Sequence, residues 1–341
     1  MSLPARRTVA AFLIVLGNVV VLPLITASPA SATTTAYAAT KTWTTDKSST
    51  PSATKTTDEL LISVTIPAGQ SRYISSKLVV DKSLPNVTEV SAIINCRLSD
   101  LTEAARSVSG QNVLSGVTTT ILTRGFFTAP ASSAYTCWLD AQFVNHSADS
   151  PGSIEVVGSG STYIQDVEGN VPWYSQTWQS TKTRVDTSDQ AAASGIIEVP
   201  ASTMATVMSS GLNVIGDENV TVCYNTTNEE AECLAPPGAR QSAALALVGV
   251  QLVVQQYADP AGLVACGPQW TNGGLIGYTV STTVHHYKIN TSGTMPPSSI
   301  NPLCEVAGAG YFEMWLRTTA NANDNSFVIE NNNETVTAAF I

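Results

Sequence analysis

Two tryptophans are the first candidates for ligand contact, because strand alternation turns each of them away from the core. Residues 134–143 read Ala-Tyr-Thr-Cys-Trp-Leu-Asp-Ala-Gln-Phe. In a strand this pattern places Cys137 inward and Trp138 outward. Residues 312–317 repeat it and place Trp315 outward. An exposed indole can stack on a sugar ring or pack against a protein partner. The alternative is that a loop or the other half of the chain covers each ring.

The histidines do not predict a metal or catalytic centre. His285 and His286 are adjacent, so in a strand they face opposite sides and cannot bind one ion together. His146 lies in a turn-like segment. A Ser-His-Asp triad stays open in a serine-rich chain, but the Gly-x-Ser-x-Gly elbow is missing. We therefore expect the three histidines to be surface residues.

The carboxylates also lack a spacing that predicts an activity. A glycoside hydrolase needs two of them across one bond, and none of the available residues stands out: Asp140, Glu155, Asp166 and Glu168. The acidic segments 229–232 and 321–325 could bind Ca²⁺ but lack the EF-hand spacing and glycine. The sequence thus predicts no metal and no cofactor, and an enzymatic activity is left uncertain but not favoured.

The N-terminus has the features of an export signal. Arg6 and Arg7 precede a mostly apolar run, residues 9–25, and Ala30-Ser31-Ala32 offers a small-x-small cleavage site. This predicts a signal peptide over residues 1–32. The alternative is an uncleaved membrane anchor, since the run approaches the length that spans a bilayer. We expect a secreted or extracellular protein, either free or associated with the cell surface, without membrane insertion after cleavage.

Charge limits the partners. The chain has a formal net charge of −10, and 12% of its residues are charged. An acidic surface repels phosphate backbones and anionic lipids, so nucleic acid is excluded as an expected partner. An extracellular protein or a glycan remains possible, and the oligomeric state is open.

Six cysteines in an exported chain predict disulfides. We expect Cys96 and Cys137 to bridge the two sheets of a sandwich. The other four allow three pairings, of which we prefer Cys223 with Cys233 and Cys266 with Cys304.

Short matches recur in the same order along the two halves of the chain. Asn86-Val87-Thr88 and Asn219-Val220-Thr221 are 133 residues apart, whereas Cys137-Trp138-Leu139 and Met314-Trp315-Leu316 are 177 apart, a difference of 44. This predicts a β repeat over residues 33–170 and a second over 171–341, with an insertion of about 44 residues before Tyr311. The alternative is that alternating strands resemble one another without common descent.

Aromatic residues cluster where the two halves meet. Trp173, Tyr174 and Trp178 follow the turn segment 166–172. We expect them to pack at the junction between the repeats.

Short alternating strands separated by Gly, Pro, Asn and Asp predict an all-β fold of antiparallel sheets. Tyr135-Thr136-Cys137 resembles the Tyr-x-Cys of immunoglobulin-like sandwiches, in which the tyrosine precedes the second cysteine. That resemblance covers three residues, and no Trp lies between Cys96 and Cys137. It implies two tandem immunoglobulin-like β-sandwiches after the signal peptide, and no function.

The preferred functional hypothesis is a non-catalytic secreted or cell-surface protein that acts in binding or adhesion. One alternative is a carbohydrate-binding module or secreted hydrolase that uses Trp138 and Trp315. Another is a structural subunit of an extracellular assembly.

Overall fold

The computed structural model describes residues 33–45, 55–81, 88–145, 152–185, 189–223, 245–281, 286–320 and 327–341. The predicted signal peptide, His146, His285, Cys233 and the two acidic segments lie outside these ranges. The described chain is almost entirely antiparallel β structure. None of the helices in these ranges has the length and apolarity needed to cross a membrane.

The first half of the chain forms two sheets. Its strands are β1 (Thr34–Ala36), β2 (Lys41–Thr45), β3 (Lys55–Ile66), β4 (Ser71–Asp81), β5 (Thr88–Arg97), β6 (Glu103–Val113), β7 (Thr119–Thr128), β8 (Tyr135–Asn145), β9 (Gly152–Val156) and β10 (Tyr163–Glu168). Sheet A has the order β1-β10-β4-β9-β2, with β7 also paired to β4. Sheet B has the order β3-β8-β5-β6.

The second half repeats this arrangement. Its elements are β11 (Tyr174–Gln179), β12 (Thr183–Val185), β13 (Gln190–Val199), α1 (Ala201–Ser210), β14 (Leu212–Val222), β15 (Leu245–Tyr257), β16 (Trp270–Thr271), β17 (Ile276–Ser281), β18 (His286–Met295), two 3₁₀ helices (Pro297–Ser299 and Pro302–Cys304), β19 (Gly310–Ala320), β20 (Phe327–Ile329) and β21 (Asn332–Phe340). Sheet C has the order β11-β21-β14-β20-β12, with β18 also paired to β14. Sheet D has the order β13-β19-β15-β16, with β17 also paired to β15.

The two halves share one strand order. We count β1 with β2 as one interrupted strand and β9 with β10 as another, and number the eight resulting strands of the first sandwich along the chain. Sheet A then has the order 1-8-3-6 and sheet B the order 2-7-4-5. The second sandwich gives the same two orders when β11 with β12, β16 with β17 and β20 with β21 are counted in the same way. The predicted pair of antiparallel β-sandwiches is confirmed. This order is that of the jelly roll, whereas an immunoglobulin domain orders its sheets ABED and CFG.

Each sandwich has its own core, produced by the alternation that the sequence shows. In β8, Cys137, Leu139 and Phe143 are fully buried between sheets A and B. In β19, Phe312 and Leu316 are fully buried between sheets C and D. The alternate residues between them, such as Trp138 and Trp315, turn to the outer faces of sheets B and D.

The extra length of the second half is spread over several connections before Tyr311. Residues 200–211, which include α1, replace the tight turn 67–70. The connections 258–275 and 296–309 likewise replace the shorter 98–102 and 129–134. The strand order therefore stays the same while the second sandwich carries larger loops.

The disulfides confirm two predicted pairings and correct one location. Cys96 and Cys137 are bonded, with Cα atoms 3.8 Å apart. They lie opposite each other on β5 and β8, so the bond joins neighbouring strands of sheet B, and the prediction that it crosses the sandwich was wrong. Cys266 and Cys304 are bonded and join two connections, with Cα atoms 5.9 Å apart. Cys223 is disulfide-bonded, but its expected partner lies outside the described residues.

Candidate ligand-binding cleft

The sandwiches contact each other through the outer faces of sheets A and C and through the edge strand β6 of sheet B. Phe126 of β7 stacks on Tyr73 and on Tyr174, with ring centroids 4.8 and 5.0 Å apart. Phe340 lies 4.9 Å from the same ring. The predicted role of Tyr174 at the junction is confirmed by this cluster, which fixes one end of the contact between the sandwiches.

A buried ion pair lies beside the aromatic cluster. Nε of Arg124 on β7 donates to Asp217 Oδ1 on β14 at 2.8 Å, and the guanidinium also donates to the Gly216 carbonyl at 3.1 Å. Asn290 Nδ2 donates to the same Asp217 oxygen at 2.8 Å. Burial disfavours the charge of Arg124, but the Asp217 carboxylate and Tyr73 together outweigh it and raise the pKa of Arg124. The pair therefore holds the sandwiches in one register.

Further polar contacts extend the interface past the ion pair. Lys288 Nζ on β18 donates to the Val108 carbonyl at 3.3 Å and to the Glu334 carbonyl. Burial lowers the pKa of Lys288 and raises that of Glu334. The backbone N–H of His286 donates to Asn112 Oδ1 at 2.7 Å. His286 therefore belongs to the interface rather than to a surface strand, which corrects the sequence expectation.

A cleft of about 330 Å³ opens beside the aromatic cluster, and Phe126 belongs to both. Three edge strands build it: β6 of sheet B, β7 of sheet A and β11 of sheet C. Its lining consists of Glu103, Ala104, Ala105, Arg106, Gly125, Phe126, Phe127, Gln176 and Trp178. Both sandwiches thus contribute walls to one cavity.

Strand alternation on β11 positions the second wall. Thr177 points into its own sandwich, toward Gly195 of β13. A Cβ atom added to Gly195 would lie 2.6 Å from the Thr177 side chain. Tyr174, Gln176 and Trp178 consequently point to the first sandwich. Tyr174 is held by Phe126, whereas Trp178 is half-buried and lines the cleft. Of the three aromatic residues predicted at the junction, Trp178 is the one in the lining of the cleft, whereas Trp173 packs against the core of the second sandwich.

The opposite wall offers charged groups at the surface. Glu103 Oε1 lies 3.9 Å from Arg106 Nε, and both side chains are about half exposed. Glu103 Oε2 also accepts a hydrogen bond from Asn95 Nδ2 at 3.2 Å. An indole facing a carboxylate, a guanidinium and the Gln176 amide can hold a flat or ring-shaped ligand and hydrogen-bond its edge.

The polar wall continues across the outer face of sheet B to Trp138. In register, Asn95 lies between Arg106 on one side and Trp138 on the other. Neighbouring strands lie about 4.8 Å apart, so Trp138 is roughly 10 Å from Arg106. Within the described part of the chain, Trp138 Nε1 and Asn95 Oδ1 are buried without a hydrogen-bond partner. We use the name binding strip for this row, together with the cleft up to Trp178. The row consists of Trp138, Asn95, Glu103 and Arg106.

The structure separates the two tryptophans that the sequence singles out. Trp315 lies on the outer face of sheet D, opposite Val253, in the other sandwich. Trp138 and Trp315 therefore belong to different surfaces, and a ligand role for either stays a prediction. Sequence reasoning missed Glu103, Arg106 and Gln176, because nothing in their spacing along the chain shows that three edge strands meet.

The candidate carboxylates are engaged elsewhere. Asp166 lies 3.4 Å from Arg72, and burial raises its pKa. Asp140 lies 4.0 Å from Arg97 on the outer face of sheet B. In the ranges that the structure describes, no three His, Cys, Asp or Glu side chains come close enough to hold a metal ion.

Comparison with known proteins finds no relative by sequence. No family model matches the chain, and no curated protein matches it.

Solved structures give weak likenesses. A chain of the infectious bursal disease virus particle has a TM-score of 0.29 and 12% identity, and the match covers 94% of this chain and 71% of that one. A tandem CBM22-1–CBM22-2 from Paenibacillus barcinonensis Xyn10C has a TM-score of 0.23 and 10% identity, with 90% and 93% covered. A putative secreted protein from Parabacteroides distasonis has a TM-score of 0.18 and 9% identity, with 92% of each chain covered. TM-scores this low carry no argument about function.

Proposed function

We propose that this protein is a secreted or cell-surface binding protein that holds a glycan along the binding strip. The observation that carries the proposal is the cleft of about 330 Å³ in which Trp178 of one sandwich faces Glu103 and Arg106 of the other. Buried disulfides support an oxidising, extracellular location.

The chemistry of the strip fits a sugar better than an apolar ligand. A pyranose ring presents C–H groups that pack on an indole face, and its hydroxyls both donate and accept. Glu103 accepts, Arg106 donates and the Gln176 amide does both. With an indole at each end, at Trp138 and Trp178, the strip has room for several linked rings.

Binding rather than hydrolysis is proposed because the lining of the cleft includes one carboxylate, Glu103, whereas glycosidases use a pair. Glu103 also accepts a hydrogen bond from Asn95 Nδ2 and lies 3.9 Å from Arg106. Such a group suits recognition of hydroxyls more than proton transfer.

The test is a glycan array on the purified, oxidised protein, followed by calorimetry with the best glycan. Trp178→Ala is expected to weaken binding at least tenfold, since it removes the stacking surface. Glu103→Gln keeps the shape and should weaken it by a smaller factor. Trp315→Ala is the matched control, because Trp315 is also half-buried on an outer face but lies in the other sandwich.

Trp138→Ala distinguishes the extended strip from the cleft alone. We expect it to weaken binding of long glycans and to leave short ones unchanged. If no glycan binds, or if Trp178→Ala binds as the unchanged protein does, the proposal is wrong. Release of shortened products from a bound glycan would instead support the hydrolase alternative.

A further inference from the structure

A second surface lies at one end of the second sandwich, where the connections 258–267 and 301–309 meet. The Cys266–Cys304 bond joins them, and we call the pair the disulfide-linked tip. Four aliphatic side chains of the tip are exposed to solvent: Leu263 at 82%, Val264 at 58%, Leu303 at 89% and Val306 at 39%. Large aliphatic groups this exposed, and grouped on two joined loops, mark interaction surfaces in soluble proteins.

The tip is held in place by hydrogen bonds as well as by the disulfide. The Asp259 carboxylate accepts from the backbone N–H groups of Ala261, Leu263 and Val264 at 2.8–3.2 Å. Asn301 Oδ1 accepts from the Leu303 N–H at 3.0 Å, and Gln256 pairs with the Asn301 backbone in both directions. The leucines are therefore presented by an ordered scaffold, so little entropy is lost when a partner covers them.

The charges around the tip have one sign. Asp259 and Glu305 lie within it, and its two segments contain no Lys or Arg. Ile196 contacts the tip at Gly262, and the exposed Glu198 lies on the same face of β13 two residues further on. The aliphatic surface is thus bordered by carboxylates.

We propose that the disulfide-linked tip docks a protein partner through an apolar segment flanked by Lys or Arg. Opposite charge at the rim and aliphatic contact at the centre make the two surfaces complementary. A second copy of this chain fits less well, because a symmetric contact would bring Asp259 and Glu305 against their own equivalents. Anionic lipid is repelled for the same reason.

The test is selection of a phage-displayed random dodecapeptide library on the oxidised protein, with counter-selection on the Leu263→Ser/Leu303→Ser variant. Both side chains are exposed, so the variant should fold. We expect enriched peptides with an apolar centre and flanking Lys or Arg. The best synthetic peptide should bind the variant at least about tenfold more weakly and should bind less well as salt is raised.

Leu101→Ser is the matched control, because Leu101 is 65% exposed in the first sandwich, and it should leave peptide binding unchanged. The proposal is overturned if selection yields no peptide that discriminates against the double variant, or if the enriched peptides lack basic residues. It is also overturned if the tip instead supports self-association by sedimentation or flotation with phosphatidylcholine vesicles, each lost in the double variant. Glycan binding by the double variant should be unchanged, so failure of this inference is separable from failure of the proposed function.

Discussion

The ion pair between Arg124 and Asp217 should be the polar contact on which the joint between the sandwiches depends most. The side chains of Arg124 and Asp217 are only 14% and 2% exposed. Replacing Arg124 by Met leaves a buried carboxylate with Asn290 as its remaining donor. Loss of one partner of a buried pair costs about 3–5 kcal/mol, and in a chain of this size that lowers Tm by roughly 5–8 °C.

The double variant Arg124→Met/Asp217→Asn separates the pair from the packing. It removes both charges, so it should cost clearly less than the two single substitutions added together. The control is Arg317→Met, because Arg317 pairs with Asp189 at the surface, where the side chains are 45% and 42% exposed. That substitution should cost under about 1 kcal/mol.

Calorimetry of the unchanged protein, the two single variants, the double variant and the Arg317→Met control measures these effects, and tryptophan fluorescence in urea gives an independent free energy. Salt provides a further check, because a buried pair is screened much less than the surface pair. A Tm of Arg124→Met within two degrees of the unchanged protein would refute the reasoning. So would a double variant whose cost equals the sum of the single costs.

Three other predictions follow from the cores. Burial raises the pKa of Glu218 to about 8, above its unfolded value of about 4.5. The folded protein therefore favours the protonated carboxyl, and the stability that this form gives at acid pH is lost as the pH rises from about 4.5 to 8. Glu218→Gln should remove this loss, which is at most about 5 kcal/mol. Chemical denaturation of both proteins at about pH 5 and about pH 8 measures the change in the free energy of unfolding. An equal change in the two proteins would contradict the prediction. Removing the bond between Cys96 and Cys137 by double Ala substitution should cost on the order of 3–4 kcal/mol, and a Tm equal to that of the oxidised protein would argue against it. Gly158→Ala places a Cβ against the Ala39 backbone and should cost about 1–3 kcal/mol in thermal unfolding, unlike Gly274→Ala, where a Cβ meets no atom within 4 Å and φ lies outside the left-handed region.

The faces of the strands could be predicted from the sequence, because alternation is local. The inward places of Cys137 and Met314 follow from their neighbours alone, and both are fully buried. The strand that lies next to Cys137 does not follow, because pairing in a jelly roll joins residues far apart in sequence. A cysteine known to point inward can bond to a cysteine on a neighbouring strand of its own sheet or to one on the opposite sheet. Inward orientation alone does not distinguish these two positions for Cys96.

The helix α1 was within reach of sequence reasoning but was missed. Pro200 precedes it and Gly211 follows it with φ of 89°, which is the usual pair of signals at helix ends. Met204 and Val207 are its buried side, spaced for one face of a helix. The segment is short and lies between two strands in a β-rich chain, so its helical spacing is difficult to distinguish from the strand pattern on either side.

The cleft could not be predicted, because its walls come from three edge strands of different sheets. Residues 103–106 and 176–178 are at least seventy positions apart and share no motif. Only the docking of sheet A on sheet C brings them together, and that docking depends on Phe126 and Arg124, whose side chains face out of the first sandwich. Alternation along β7 shows that these side chains point away from the core, but it does not show which residues they contact.

Trp138 and Trp315 hold the same place in the shared strand order, yet their neighbours differ. Next to Trp138 lies Asn95, which bonds to Glu103 at the cleft. Next to Trp315 lies the apolar Val253, and β16 pairs with β15 there as β6 pairs with β5 in the first sandwich. The longer connection 258–275 supplies part of the disulfide-linked tip, which the short connection 98–102 of the first sandwich cannot form. The two sandwiches therefore present different surfaces from one architecture, with a polar strip on the first and an apolar tip on the second.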